Sequence, residues 1–218
     1  MLSRDRSSLV IGAAVLLTFT VLAIADKYTM FFRSYDAYII NYVRSLPPDF
    51  MYVFSVVSAV ASIVFVWGYV LLLTVLSLTM VKKLRKIIPQ LIITLLIVEL
   101  LTAATKFIVG IPRPSVALIR GAVLSGNSVI SNLFLSVELM SYPSGHVARF
   151  TALAYVLRRY SRILATLLYI LIPVIAASRV LLGEHYCIDV IGGFLLGLGV
   201  SLVVNSLMGE KIRKAKVR

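Results

Sequence analysis

The chain contains two histidines, and one of them, His185, is followed four residues later by Asp189 in the stretch SRVLLGEHYCID, Ser178 to Asp189. On a helix this spacing projects both side chains from one face. A carboxylate so placed accepts a hydrogen bond from one ring nitrogen and fixes the tautomer, leaving the other nitrogen to attack or to carry a proton. Arg179 lies six residues before the histidine and cannot share that face on one continuous helix. Gly183 offers a break, so Arg179 is expected to close one helix while His185 and Asp189 open the next. Two further stretches carry unusual chemistry. In the first, Lys106 is followed by Arg113 held between Pro112 and Pro114, which aims two cations from a stiffened turn and suits a phosphoryl group. In the second, Pro143-Ser144-Gly145-His146 opens a helix with an N-cap serine and free backbone N–H groups, where the helix dipole favours an anion. Each stretch alone has an ordinary reading: a satisfied histidine at a helix end, a pair of interface anchors, a plain helix start. Their joint presence, with both histidines used, points to a three-part phosphate site.

The elements that must position these groups are membrane helices. With 218 residues, 60% of them hydrophobic, and a mean hydropathy of +0.99, the chain is far more apolar than a soluble domain. Nearly uncharged runs cover Ser7 to Ala25, Met51 to Val81, Ile87 to Thr105, Ile163 to Ser178 and Val190 to Gly209. Each is near the length that crosses roughly 30 Å of hydrocarbon. A sixth, His146 to Leu157, is short and carries Arg149, and is inferred partly from its motif. The expected fold is therefore all-α, a polytopic membrane bundle of six transmembrane helices. An interfacial helix should follow the first span within Asp26 to Asp49, where Ile39, Ile40, Val43 and Leu46 repeat at helical spacing. Tyr28, Phe31, Phe32, Tyr38 and Tyr42 would be its headgroup-level anchors. Arg4 and Arg6 before an apolar run ending Ala23-Ile24-Ala25 also fit a cleavable signal peptide, but the run is long for one. A retained first span is expected, and intact-mass measurement distinguishes the two.

A formal net charge of +13 invites nucleic acid, but the placement of the charges argues against it. With a cytosolic N-terminus, 14 of the 22 basic residues fall on the inner side, in the N-terminal segment, the loops at 82–86 and 158–162, and the C-terminal tail. The positive-inside rule then places both termini in the cytosol of the cell membrane and all three motif stretches at the outer face. The basic loops set orientation and touch anionic lipid. The single cysteine, Cys187, excludes an internal disulfide and reads as a small packing residue. Within the third span Glu99, Thr102 and Lys106 form one stripe expected to face the bundle interior, either supporting Lys106 or bonding to a neighbouring helix. Gly193 and Gly197 have the spacing that lets helix backbones approach closely. The loop from about 108 to 142 has no readable fold.

The three stretches KFIVGIPRP, PSGH and SRVLLGEHYCID resemble, in order, the signature motifs of the type 2 phosphatidic acid phosphatase superfamily, a six-helix membrane family. The match runs from about residue 106 to 189 as the core of a single domain, 1–218, identified on this resemblance as an integral membrane phosphatase. The resemblance implies that His185 is the nucleophile with Asp189 as its partner, that His146 is the general acid, and that Lys106, Arg113, Ser144, Gly145 and Arg179 bind phosphate. The chemistry agrees, because metal-free phosphate ester hydrolysis needs cations on the equatorial oxygens, an in-line nucleophile and an acid opposite. No outward cluster of His, Cys and carboxylate and no Gly-rich phosphate loop is present, so neither metal nor other cofactor is expected. The implied partners are the membrane and a lipid phosphate or diphosphate, not nucleic acid. PSGHxxR adds Arg149 one turn after His146 and resembles the polyisoprenoid diphosphate phosphatase branch. A further cation suits a diphosphate, the alternative being that Arg149 pairs with Glu184, Glu138 or Glu99. Phosphatidic acid and phosphatidylglycerol phosphate are the competing substrates, and a non-catalytic lipid-binding protein or a transporter is the competing class.

Overall fold

The computed structural model describes residues 2–29, 36, 38, 42, 45, 47–114 and 139–217. These form seven α-helices: α1 (Leu2–Thr29), α2 (Pro48–Ala59), α3 (Ile63–Thr79), α4 (Ile88–Val109), α5 (Gly145–Leu157), α6 (Arg162–Leu181) and α7 (Cys187–Val217). One 3-10 turn, Lys82–Lys86, joins α3 to α4. Among the described residues the β-structure is a single bridge between Pro112 and Met140.

Among the described residues five helical stretches are long and apolar enough to cross a membrane: Arg6–Thr29, Asp49–Thr79, Ile88–Val109, Arg162–Leu181 and Cys187–Met208. The expected sixth is α5, which has 13 residues. At 1.5 Å per residue it is roughly 20 Å long, less than the hydrocarbon thickness. It packs against α4, α6 and α7. Every residue of α5 except His146 is buried, including the charged Arg149. The helix is the axis of the bundle, and its one half-buried side chain belongs to the first turn.

Close approach to α5 comes from the glycine pair on α7. A Cβ on Gly193 would collide with the Ser144 carbonyl oxygen, and one on Gly197 with the Ala148 carbonyl oxygen. The expected small-residue spacing therefore seats α7 against the start of α5. Helix α1 lies along the opposite side of α7, where a Cβ on Gly12 would come within 3.0 Å of Leu202 and Val203 side-chain atoms. It also reaches the second motif directly, since the Tyr142 hydroxyl donates to the Phe19 carbonyl at 3.0 Å and the two rings stack.

Two departures from the sequence expectation matter. The first helix continues to Thr29, so Asp26, Lys27 and Tyr28 belong to α1, and Asp26 is buried. The rest of the expected interfacial helix lies mostly outside the described residues. The second is that the run Met51 to Val81 is not one helix. It breaks between Ala59 and Ile63, where Ser62 caps α3 by accepting the Phe65 N–H. Broken backbone is tolerated at such depth only where it is buried in protein or lines a cavity. Here Ala61 is fully buried and its carbonyl faces Arg149 Nε at 3.5 Å. At the opposite end of the bundle, Arg85 donates to the Ser77 and Leu78 carbonyls at 2.7 Å, capping the C-terminus of α3.

Candidate active site

The C-terminal ends of α4 and α6 and the N-terminal ends of α5 and α7 meet at one end of the bundle. Lys106 lies in the last turn of α4 and is buried. Gly110, at φ 68°, ends that helix in the left-handed region, its N–H bonding the Lys106 carbonyl at 2.9 Å. The chain then pairs with the segment before α5: Arg113 N–H donates to Leu139 O at 2.9 Å, and Ser141 N–H to Ile111 O at 2.7 Å. This short ladder ties the Arg113 turn to the Pro143-Ser144-Gly145-His146 turn. Helix α6 ends as Gly183 predicts. At φ 67° its N–H bonds Val180 O at 2.9 Å while Glu184 N–H bonds Arg179 O at 3.1 Å, the double bond of a Schellman stop. Arg179 thus occupies the last turn, and the chain reverses to deliver His185.

His185 does not open the following helix, as its spacing from Asp189 implied. It sits with Tyr186 in the link before α7, and Asp189 lies in the first turn. The pairing survives because a capping turn replaces the helical one: Asp189 Oδ2 accepts Tyr186 N–H at 2.7 Å and faces His185 Nδ1 at 3.3 Å. Ser141 Oγ donates to the same carboxylate oxygen and lies 3.5 Å from His185 Nδ1. With Nδ1 occupied, Nε2 is the nitrogen left for chemistry. Burial holds His185 well below the ordinary histidine range, reinforced by Arg179, Arg113 and Lys106, so the ring is neutral at physiological pH. Asp36 supplies the cap of α7, accepting the Cys187 N–H at 2.9 Å. The Ser144 N–H donates to Asp189 O at 2.9 Å, while the Ser144 hydroxyl is buried with no hydrogen-bond partner among the described residues.

A cavity of about 170 Å³ joins these groups, lined on one side by Lys106, Arg113, Gly145, His146 and His185. Arg179 is joined to the lining residue Arg113 through Glu184, whose carboxylate sits 3.5 Å from Arg179 and also pairs with Arg113. The Arg179 guanidinium is anchored from behind by the Ser58 hydroxyl at 2.6 Å, across the break in the second span. Deeper in the bundle Ser62, Glu99, Thr102 and Arg149 continue the lining. The Glu99, Thr102, Lys106 stripe does face the interior. Its carboxylate, however, meets Arg149 Nη1 at 3.1 and 3.2 Å rather than serving Lys106. Removing one partner of such a pair leaves the other charge buried and uncompensated, a cost of about 3–5 kcal/mol.

All nine residues singled out in the sequence therefore converge at one end of the bundle. Four contributors were not singled out: Ser141, Glu184 as a bridge between two arginines, and Ser58 and Ser62 at the helix break. The small-residue cluster Ser58, Ala59, Ala61, Ser62 in an otherwise bulky run is the signal that marks the break. Ser141 has none beyond standing two residues before Pro143. Ser141→Ala is expected to lower kcat about tenfold, the effect of losing about 1.4 kcal/mol of hydrogen bonding that fixes Asp189 and His185. A steady-state assay checks this, with KM little changed, since Ser141 lies behind the histidine and does not line the cavity.

The chain is similar to several known proteins. The decaprenylphosphoryl-5-phosphoribose phosphatases of two Mycobacterium tuberculosis strains are each 39% identical over 77 residues, 35% of this chain. The chain spans only 42% of the length of these relatives. In fold it is similar to the crystal structure of a transmembrane PAP2 type phosphatidylglycerolphosphate phosphatase from Bacillus subtilis, with a TM-score of 0.69 at 21% identity over 91% of this chain and 96% of the other. It is similar also to Aquifex aeolicus LpxE, with a TM-score of 0.52 at 23% identity over 80% and 93% of the two chains. The model of the PAP2 superfamily matches residues 88–213, more than half of the sequence, and the chain belongs to that superfamily.

Proposed function

We propose that the protein is an integral membrane lipid phosphatase that hydrolyses a lipid phosphate ester through a phosphohistidine. The observation that carries this reading is the convergence of Lys106, Arg113 and Arg179 with a neutral, Asp189-oriented His185 and the cavity-facing His146. The three cations take the equatorial phosphate oxygens, with the Ser144 hydroxyl and the Gly145 N–H at the start of α5 as further donors. His185 Nε2 attacks phosphorus, and the bond to the leaving oxygen breaks as His146 gives that oxygen a proton. His146 then takes a proton from water, which attacks the phosphohistidine and releases inorganic phosphate. The chain crosses the membrane six times, α5 making one pass inside a sleeve of protein. Both termini are cytosolic and the site opens on the extracytosolic side, as the inward bias of the basic loops requires.

The favoured substrate is a lipid phosphate monoester. Arg149, the residue that pointed to a polyprenyl diphosphate, pairs one to one with Glu99, whereas Arg113 and Arg179 share the single carboxylate of Glu184, so the excess positive charge lies with Lys106, Arg113 and Arg179. Polyprenyl diphosphate is the second reading, supported by Arg149 still lining the cavity. The experiment is phosphate release by the purified protein in detergent, across lipid phosphates and polyprenyl diphosphate, with and without EDTA. Release that persists undiminished in EDTA is expected. Among the described residues no three His, Cys, Asp or Glu side chains gather as a metal site would require. Loss of activity on chelation, restored by a divalent ion, would refute the metal-free mechanism. Absence of release from every lipid would favour a binding protein or a transporter.

A further inference from the structure

The cavity continues past the groups the phosphate occupies. Lys106 and Glu99 are seven residues apart on α4, about 10 Å along the helix axis, and Arg149 lies one turn beyond His146 on α5. This inner chamber sets polar side chains beside the apolar Ile63 and Ala103, where a lipid tail would want an unbroken apolar wall. Glu99, Thr102 and Arg149 line it, and the break in the second span brings in Ser62. Thr102 is a buried residue, and its hydroxyl has no hydrogen-bond partner among the described residues. The Ser62 oxygen accepts the Phe65 N–H, leaving its proton to donate. Glu99 meets Arg149 through both carboxylate oxygens, which retain lone pairs for further donors.

We infer that this chamber is a binding site for the leaving group, and that it recognises neutral hydroxyls on a polyol carrying the scissile phosphate. The inference rests on the lipid phosphatase reading above. His146, as the acid, stands beside the leaving oxygen, and Arg149 and Glu99 lie on the inner side of His146. The charge balance selects the class of ligand. Because Glu99 and Arg149 offset each other, neither a second phosphate nor an ammonium group finds an unmatched counter-charge there. Hydroxyls do find partners: Thr102 accepts or donates, Glu99 accepts and Ser62 donates. Buried polar groups left unpaired penalise a leaving group that lacks hydroxyls, which is how such a site discriminates. Favoured substrates therefore carry glycerol or sugar hydroxyls next to the phosphate, with the lipid attached further away.

The test compares kcat/KM for phosphatidylglycerol phosphate, whose leaving group bears a free hydroxyl, with phosphatidic acid and polyprenyl diphosphate, whose leaving groups bear none. The purified full-length protein, Thr102→Val and Glu99→Gln are assayed in the same detergent. Wild-type protein should prefer the polyol phosphate by tenfold or more, and the ratio should fall about tenfold in Thr102→Val. Glu99→Gln keeps an amide oxygen toward Arg149, and should also lower the ratio. If Glu99→Gln fails to fold, Thr102→Val alone decides, being isosteric on an intact helix. An active wild-type enzyme with a ratio near one, or with polyprenyl diphosphate preferred, overturns the inference and leaves the phosphatase reading standing. So does a ratio that neither variant changes. A folded protein that releases phosphate from none of the three overturns both.

Discussion

Replacing His185 by alanine is expected to abolish phosphate release, lowering kcat by about 10⁴-fold or more, as loss of a covalent nucleophile does elsewhere. The residue is almost wholly buried, and alanine would leave Asp189 without its histidine partner, so misfolding has to be separated from lost chemistry. His185→Gln does so, because its side-chain amide can still donate to Asp189 Oδ2 while offering no nucleophilic nitrogen. Both variants should elute from a sizing column like the wild type and be inactive. Retention of more than about 1% of the wild-type rate by a folded His185→Gln would mean that another group attacks phosphorus, and the phosphohistidine mechanism would be wrong.

His146→Ala should lose about 10²- to 10⁴-fold, the usual contribution of a positioned acid or base. The diagnostic lies in how the loss depends on the leaving group. An aryl phosphate whose phenolate departs without a proton still phosphorylates His185 when His146 is absent. The second step, in which water must be activated, remains slow. The variant should therefore release about one equivalent of the phenol in a burst and then turn over slowly. Wild-type protein should show no such accumulation, and His185→Ala no burst. A His146→Ala variant that loses the same factor on aryl and alkyl phosphates, without a burst, would place His146 in binding rather than proton transfer. Its position supports the acid–base role: in α5 it is the residue left half-buried, on the turn facing the cavity.

These roles depend on features that the amino-acid order makes legible to different degrees. The helix stop at Gly183 and the close packing at Gly193 and Gly197 are local matters. Each follows from the conformational limits of one or two residues, so each is readable from the sequence. The His185–Asp189 pair was readable too, although through a capping turn rather than a helix face, because a four-residue separation lets either arrangement bring the two groups together. The inward stripe of Glu99, Thr102 and Lys106 was visible for the same reason, since one helix carries all three.

What no spacing could reveal is which partner a buried charge takes from another helix. Glu99 and Arg149 are 50 residues apart, Arg179 and Ser58 are 121 apart, and Arg113 and Glu184 are 71 apart. Apolar periodicity says that a helix is buried, but not against what. Hence Arg149 read equally well as a fourth phosphate cation, and the broken second span as one continuous crossing. Helix α5 shows the same limit from the other side. At 13 residues it is too short and too charged for its hydropathy to announce a span, yet it is the most enclosed element of the bundle. The order of residues settles the apolar helices, their stops, the motif chemistry and the bias of the basic loops, because these depend on neighbours along the chain. Tertiary packing alone decides that Glu99 neutralises Arg149, that Ser141 holds Asp189 and that Ser62 of the helix break reaches the cavity while Ser58 anchors Arg179. Those contacts arise only when separate helices meet in an interior of low dielectric, where every buried polar group must find whichever partner the packing brings within reach.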